Sequence, residues 1–334
     1  MITAYRMTGE ALRIAADSLS AGLPEHIVWI DLDCPSRQEE ALVEAALGIS
    51  VPTRDDLKDI EPSSRLFVEN GDVFMTASLV WKTETEFPEL TDIACILTRT
   101  HLVTVRYAEP RSFKLFAAAL QRGFTNTSAA ACTQHSITTP VQLFARLLET
   151  ITDRTAEILE QETARIDALS LQVFAGGTTK RRPPNFLEQR LLEVAGHHRL
   201  LGKVRESLAS LARITTFLQS LPVIQTDEDA RGLCQTVSRD IQSLSEHVSF
   251  IAGNITFLLD ASLGLINVEQ NAIIKIFSIA SVVFLPPTLV ASIYGMNFEF
   301  MPETHWAHGY PLSLAAMVVS AIVPFYIFRW KGWL

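Results

Sequence analysis

The most distinctive feature of the hydrophobic pattern is a pair of long uncharged segments near the C-terminus, at 276–293 and 311–328. A helix needs roughly 20 mostly apolar residues to cross about 30 Å of hydrocarbon, so each segment is long enough to span a bilayer. Two acidic residues, Glu299 and Glu303, lie in the short connection between them, where water can reach them. The pattern predicts a membrane protein with two spans.

The basic residues that flank these segments predict how the chain is oriented. Lys275 precedes the first span, and Arg329 and Lys331 follow the second, whereas the connection contains no Lys or Arg. Cytoplasmic flanks are enriched in basic residues, so we expect both termini in the cytoplasm and the connection outside. The first residues lack the apolar core of a signal peptide, and we expect the long N-terminal part to stay in the cytoplasm.

Upstream, residues 1–135 alternate short β-rich runs with short helical runs. Five runs are rich in β-branched and aromatic residues and predict strands, at 27–32, 66–69, 73–81, 92–98 and 102–106. Three others predict helices, at 39–47, 54–59 and 110–121. This alternation is typical of an α/β domain.

Beyond residue 136 the pattern becomes that of long helices. Two helices, 140–174 and 186–218, are separated by a Gly- and Pro-rich break and are expected to form an antiparallel hairpin. A third begins near Asp227 and shows no strong stop signal before Tyr294. Part of it carries an apolar stripe with a period of about 3.5 residues, which is typical of coiled coils. The alternative is two helices with a break near Gly264.

These patterns predict a fold class and a domain division. The fold class is an α/β cytoplasmic domain followed by a long helical stalk and two transmembrane helices. The predicted divisions are an acidic α/β domain, a helical hairpin, a stalk helix that continues into the first span, an extracytoplasmic loop, the second span and a basic tail, at 1–135, 136–225, 226–294, 295–310, 311–330 and 331–334.

Charge and composition limit the function classes. Residues 1–110 contain 19 acidic and 9 basic side chains, so nucleic acid is an unfavourable partner for this part. Either these acids simply solubilise the surface, or they hold divalent cations between subunits. The four cysteines have no metal-binding spacing. The sequence contains no nucleophile–base set or phosphate loop, so we do not expect an enzyme.

Small polar residues recur along the first span. Their spacings of 7, 3, 7 and 4 put them on one helix face, together with Ile274 and Leu285, and they are Asn271, Ser278, Ser281, Thr288 and Ser292. Polar side chains inside a membrane usually face a bundle interior or a water path. Small residues also permit close helix packing without any conduit. If the face lines a pore, one chain is too small to enclose it, and a symmetric ring of chains is required.

The end of the first span carries a family resemblance. Tyr294-Gly295-Met296-Asn297 is followed by Phe-Glu-Phe-Met-Pro-Glu, a second span and a basic tail. This arrangement strongly resembles the CorA magnesium transporters, closely over 266–334 and more loosely upstream. The resemblance implies a funnel-shaped homopentamer in the bacterial inner membrane that admits Mg²⁺, with Co²⁺ and Ni²⁺ as lesser substrates, and that needs no organic cofactor.

The resemblance also implies roles for individual residues. Gly295, Met296 and Asn297 form the selectivity filter, where five Asn297 side chains meet Mg²⁺ through its hydration water. Glu299 and Glu303 bear on ion capture, or are ordinary solubilising charges. The pore-lining positions include two hydrophobic constrictions, Phe277 and Leu285, and the full set is Asn271, Ile274, Phe277, Ser278, Ser281, Leu285 and Thr288.

Cytoplasmic Mg²⁺ is expected to close the ring by bridging acids between neighbouring domains, with Asp92, Asp229 and Asp240 as guesses. Two alternatives remain. One is a Zn²⁺ transporter of the related branch, against which the Gly-Met-Asn form argues. The other is a membrane-anchored coiled-coil protein that binds a partner and transports nothing.

Overall fold

The structure, a computed structural model, divides into two units. It describes residues 1–6, 10–14, 26–58, 65–85, 87–122, 137, 139–175, 185–296, 301, 306 and 308–331. The N-terminal unit is Met1–Leu258 and the C-terminal unit is Leu259–Leu334.

A seven-stranded mixed sheet forms the centre of the N-terminal unit. Its strands are β1 Ile2–Arg6, β2 Ala11–Ile14, β3 Ile27–Asp33, β4 Leu66–Glu69, β5 Asp72–Trp81, β6 Glu89–Leu97 and β7 Leu102–Arg106. Their order is β2-β1-β3-β7-β6-β5-β4. Only the β3–β7 pairing is parallel, and the other described pairings are antiparallel. The five strands predicted from the sequence are all present, whereas β1 and β2 were not predicted.

The helices follow the predicted pattern with small differences at their ends. They are α1 Arg37–Leu47, α2 Arg111–Gln121, α3 Pro140–Ala175, α4 Phe186–Ser220, α5 Pro222–Thr226, α6 Glu228–Tyr294 and α7 Gly309–Trp330. The predicted helix at 54–59 was wrong in type, because the described residues there contain only a short 3₁₀ turn, Asp56–Lys58. Side chains cap the starts of two helices. At α1, Ser36 and Glu39 form a capping box, and at α6 the carboxylate of Asp227 accepts a hydrogen bond from the N–H of Ala230 at 3.0 Å.

A buried ion pair links the two parallel strands of the sheet. Arg106 of β7 donates to both carboxylate oxygens of Asp31 on β3, at 3.0 to 3.2 Å, and Thr104 donates to Asp31 at 2.7 Å. Both charged side chains are less than 10% exposed. The indole N–H of Trp29 donates to the Thr104 hydroxyl at 2.9 Å, so the buried polar groups satisfy one another. This network lies inside an otherwise apolar core.

The apolar stripe on α6 is buried within the N-terminal unit. Val237, Ile241, Val248, Ile251 and Ile255 are each at most 1% exposed in the single chain. Hydrogen bonds connect this part of α6 to its neighbours, between Thr163 of α3 and His247 and between Gln219 of α4 and the carbonyl of Cys234. The coiled-coil spacing therefore serves helix packing inside one chain.

α6 is a single helix of 67 residues without an interruption at Gly264, so the alternative of two separate helices was wrong. Its later part and α7 form the C-terminal unit. The predicted fold class, in its elements of an α/β domain, a long helix and two candidate membrane helices, is confirmed.

Candidate transmembrane site

Two described helices are long and apolar enough to cross a membrane, α6 and α7. None of the residues in their most apolar windows is buried inside the chain. A core helix of a soluble protein would be mostly covered, and a signal sequence would lie near the N-terminus. The apolar surface of α6 and α7 therefore has to be covered by lipid or by other chains.

All seven predicted pore-lining residues of α6 are exposed in the single chain: Asn271, Ile274, Phe277, Ser278, Ser281, Leu285 and Thr288. The large apolar members stand out, with Ile274 60%, Phe277 70% and Leu285 66% exposed. At 100° per residue, the centre of this face lies about 150° around the helix from the half-buried positions of the same segment. Three of those half-buried positions, Ile279, Val282 and Val283, line a cavity together with α7. The predicted pore face thus points mainly away from α7.

The cavity between α6 and α7 touches one edge of the predicted face. It has a volume of about 310 Å³ and is lined by Asn271, Ile274 and Ser278 on α6 and by Phe325 and Phe328 on α7. Residues farther along the face, such as Leu285, do not line it. The two ends of the predicted face therefore have different surroundings within one chain.

Gly295 closes α6 in a crowded backbone environment. Its N–H donates to the carbonyl of Ala291 at 2.9 Å, and the N–H of Met296 donates to the carbonyl of Ile293 at 3.3 Å. A Cβ added to Gly295 would lie 3.0 Å from the Ala291 carbonyl oxygen, which is tighter than ordinary contact. The position consequently favours glycine for a steric reason. Met296 is 47% exposed.

Several predicted residues lie outside the part of the chain that the structure describes. They are Asn297, which is the predicted filter residue, and Glu299 and Glu303 of the connection. Their assigned roles stay predictions.

Thr288, on the predicted face, donates its hydroxyl hydrogen to the carbonyl of Phe284 at 2.6 Å. The hydroxyl donor is satisfied within the helix, so the oxygen keeps acceptor capacity toward the exposed side. A neutral oxygen acceptor is the kind of group that suits a hydrated cation.

The three acids guessed as regulatory ligands have different surroundings. Asp92 accepts a hydrogen bond from Ser78 and lies 3.5 Å from the guanidinium of Arg65, so its charge is balanced within the chain. Asp229 lies in the first turn of α6, where its negative charge interacts favourably with the helix dipole. Asp240 lies close enough to Asp153 to act on its ionisation. Within the described ranges, no group of three or more His, Cys, Asp or Glu side chains is arranged to hold a metal.

Asp153 is a residue that the sequence reasoning missed. Burial raises the pKa of its carboxyl, and the charges of Glu149, Asp240 and Glu157 raise it further. A signal was available, because Glu149, Asp153 and Glu157 recur every four residues and must share one face of α3. The spacing alone does not predict that these acids lie near Asp240 of α6.

The α/β unit, the exposed face of α6 and the second apolar helix together define the class as a two-span membrane protein. Comparison with known proteins agrees. Residues 24–330 match the family described as CorA-like Mg²⁺ transporter protein. This chain belongs to that family.

Individual relatives support the assignment over the whole chain. The magnesium transport protein CorA of Pasteurella multocida is 32% identical, with 100% of both chains covered. That of Escherichia coli is 33% identical, with 92% of each covered. In three dimensions, the complete CorA magnesium transporter of Methanocaldococcus jannaschii matches with a TM-score of 0.75 at 20% identity, covering 100% of this chain and 99% of the other. At that identity the structural match concerns the fold.

Proposed function

We propose that this protein is a transporter, and not an enzyme, that forms a homopentameric channel for Mg²⁺ in the bacterial inner membrane. The observation that carries the proposal is the exposed face of α6, in which neutral oxygens of Asn271, Ser278, Ser281 and Thr288 alternate with apolar side chains. This face remains uncovered in one chain although it lies in a segment of membrane length. Five copies around an axis would cover it. The names of the relatives supply the ion.

The alternation of residues suits passage of a hydrated ion. Mg²⁺ prefers oxygen ligands and sheds its inner water reluctantly, so neutral acceptors can guide it with its water retained. Phe277 and Leu285 are large, apolar and exposed, and a ring of such side chains closes a pore by excluding water. Co²⁺ and Ni²⁺ are proposed as lesser substrates, because oxygen-rich octahedral sites tolerate them.

At the outer end, Gly295, Met296 and Asn297 are proposed as the filter. The crowded backbone at Gly295 supports this role, because it makes the helix end sensitive to any added side chain. Asn297 would present its side-chain carbonyl to the water coat of the ion, and Glu299 and Glu303 would raise the local cation concentration. Both termini are proposed to be cytoplasmic, with Lys275, Arg329 and Lys331 on that side.

Regulation by cytoplasmic Mg²⁺ is proposed to involve acids from neighbouring subunits. Within the described residues of one chain, no three His, Cys, Asp or Glu side chains are grouped to hold a metal, and the proposed regulatory site draws its ligands from two neighbouring chains. Asp240 is the best supported of the three acids, because its charge raises the pKa of Asp153 on α3. A bound divalent cation would relieve the repulsion between such acids.

Ion flux into proteoliposomes tests the proposal. Wild-type protein should admit Mg²⁺ and, more weakly, Co²⁺ and Ni²⁺, and Asn297→Ala should abolish uptake while the pentamer still assembles. Asn254→Ala, which removes an amide from the N-terminal unit, is the matched control and should keep wild-type flux. Flux of Zn²⁺ alone would favour the related branch, and absence of any flux would favour an anchored protein without transport. Retained uptake in Asn297→Ala would remove the filter assignment.

A further inference from the structure

A second cavity, in the N-terminal unit, has features that the transport proposal does not use. Its volume is about 430 Å³. It lies between the C-terminal end of β5, the start of α2, the middle of α3 and Ser207 of α4. A volume of this order is in the range of small-molecule sites, roughly 300 to 1,000 Å³.

The lining of this cavity is positively charged, although this part of the chain is acidic as a whole. Four basic side chains, Lys82, Arg111, Lys114 and Arg154, line it, against the two acids Glu84 and Glu109. The net charge of the lining is therefore +2, and Lys82 and Arg154 also pair with Glu89 and Glu157, which lie outside the lining.

The basic side chains form ion pairs at the mouth. Arg111 lies 2.8 Å from Glu84, and Lys114 lies 2.8 Å from Glu109. All four of these side chains are at least half exposed, so the pairs are weak and can exchange for a stronger anionic partner. Arg154 is also paired, with Glu157, but its side chain is only 9% exposed, so it is held in the wall.

The start of α2 faces the same cavity. The helix is 11 residues long, and its N-cap is Pro110, which makes no side-chain cap. The N–H of Phe113 already donates to the Pro110 carbonyl at 3.1 Å, whereas the N–H groups of Arg111 and Ser112 have no partner within the helix and carry the positive end of the helix dipole. Such a terminus binds phosphate when an anion can reach it.

Two buried hydroxyls give an independent indication of a ligand. Ser112 in the first turn of α2 is 4% exposed and Ser207 is 1% exposed, and both line the cavity. Neither hydroxyl has a hydrogen-bond partner among the residues that the structure describes. Both hydroxyls are therefore available to hydrogen-bond to water or to a ligand in the cavity.

The remaining wall is apolar and includes Leu79, Ile151 and Ile158. These side chains suit the organic part of a ligand, while Ser112, Arg111 and Arg154 suit a tetrahedral anion. We propose that this cavity binds a small organic phosphate, with the phosphate group at the start of α2 and the organic part against the apolar wall.

Calorimetric titration of the full chain in detergent tests this site, with EDTA present so that chelation of Mg²⁺ contributes nothing. The probes are AMP, inorganic phosphate and adenosine. AMP should bind more tightly than inorganic phosphate, inorganic phosphate should compete with AMP, and adenosine should not bind. The double variant Arg111→Gln, Ser112→Ala should bind AMP roughly tenfold more weakly, because it removes hydrogen bonds to a charged ligand.

Two further variants control the experiment. Ser112→Ala alone removes only one hydroxyl and keeps the ion pairs, so it should fold and still weaken AMP binding. Lys58→Gln removes an exposed lysine that pairs with Asp55 away from the cavity, and it should bind AMP as the wild type does. The proposal is overturned if AMP and phosphate fail to bind at about 10 mM, if adenosine binds as well as AMP, or if Lys58→Gln weakens binding as much as the double variant. Binding is measured without transport, so its outcome is independent of the ion-flux experiment.

Discussion

Replacing Gly295 with alanine tests whether the end of α6 is sterically set for its proposed role. The new Cβ would lie 3.0 Å from the carbonyl oxygen of Ala291, where ordinary contact begins at 3.4 Å. That carbonyl cannot turn aside freely, because it accepts the N–H of Gly295 at 2.9 Å. The helix end therefore has to shift by a few tenths of an ångström.

The magnitude follows from this overlap. Forcing an extra methyl group into a packed position typically costs about 1 to 3 kcal/mol. We expect the displaced helix end to raise the barrier to Mg²⁺ passage by about 1.4 kcal/mol, so that uptake by Gly295→Ala falls roughly tenfold.

Gly264 offers a matched control in the same helix. A Cβ added there meets nothing within 4 Å, and alanine is favoured over glycine in a helix interior by up to about 1 kcal/mol. Gly264→Ala should keep wild-type uptake and raise the melting temperature slightly. Both variants are assayed as proteoliposomes with equal protein, using an enclosed Mg²⁺-sensitive dye for flux and circular dichroism for unfolding.

The reasoning is refuted if Gly295→Ala transports Mg²⁺ at the wild-type rate and unfolds at the same temperature as Gly264→Ala. Loss of flux in both variants would also refute it, because the steric difference between the two positions would then have no consequence.

Three further predictions concern the N-terminal unit. Asp31→Ala should lower the free energy of unfolding by about 3 kcal/mol, because it removes the main carboxylate partner of the buried Arg106 guanidinium, which keeps the 3.3 Å contact to Asp33 and a hydrogen bond to the Ala108 carbonyl. Asp227→Ala should cost about 1 kcal/mol near neutral pH, because it removes the cap of α6. Asp153→Asn should stabilise the fold near neutral pH, because burial and three neighbouring acids raise the pKa of Asp153.

All three variants are measured by chemical unfolding of the full chain. The pH dependence of the free energy of unfolding distinguishes Asp227→Ala from Asp153→Asn. Although burial opposes it, hydrogen bonds from Ala230, Gln142 and Thr139 leave the pKa of Asp227 lowered, so its ionised form contributes stability that is lost as pH falls through the folded-state value. The effect of Asp227→Ala should shrink in acid. The raised pKa of Asp153 has the opposite effect on stability. Its ionised carboxylate destabilises the fold at neutral pH, and this penalty disappears once the pH falls below the pKa of Asp153 in the unfolded state. Asp33→Ala should cost less than Asp31→Ala. An equal cost, or pH-independent effects of both other variants, would contradict these assignments.

Local pattern predicted much of the fold. β5 and β7 are runs of β-branched and apolar residues, and the structure has them within one residue of the predicted bounds. The membrane helices could be predicted because length and absence of charge are properties of the sequence itself. β1 and β2 could not be predicted, because their short mixed sequences become strands only through pairing: β1 pairs with β3, and β2 pairs with β1.

For the candidate site, the sequence by itself determined which residues share one face of α6, because helical periodicity is a local property, and Gly295 was singled out by its neighbours in the chain. Only the tertiary structure decided which surroundings those residues have. It placed Arg106 on Asp31, Asp240 near Asp153, and the start of α2 beside Arg154. These pairs are far apart in sequence, and their proximity depends on how sheet and helices pack, which no local pattern encodes.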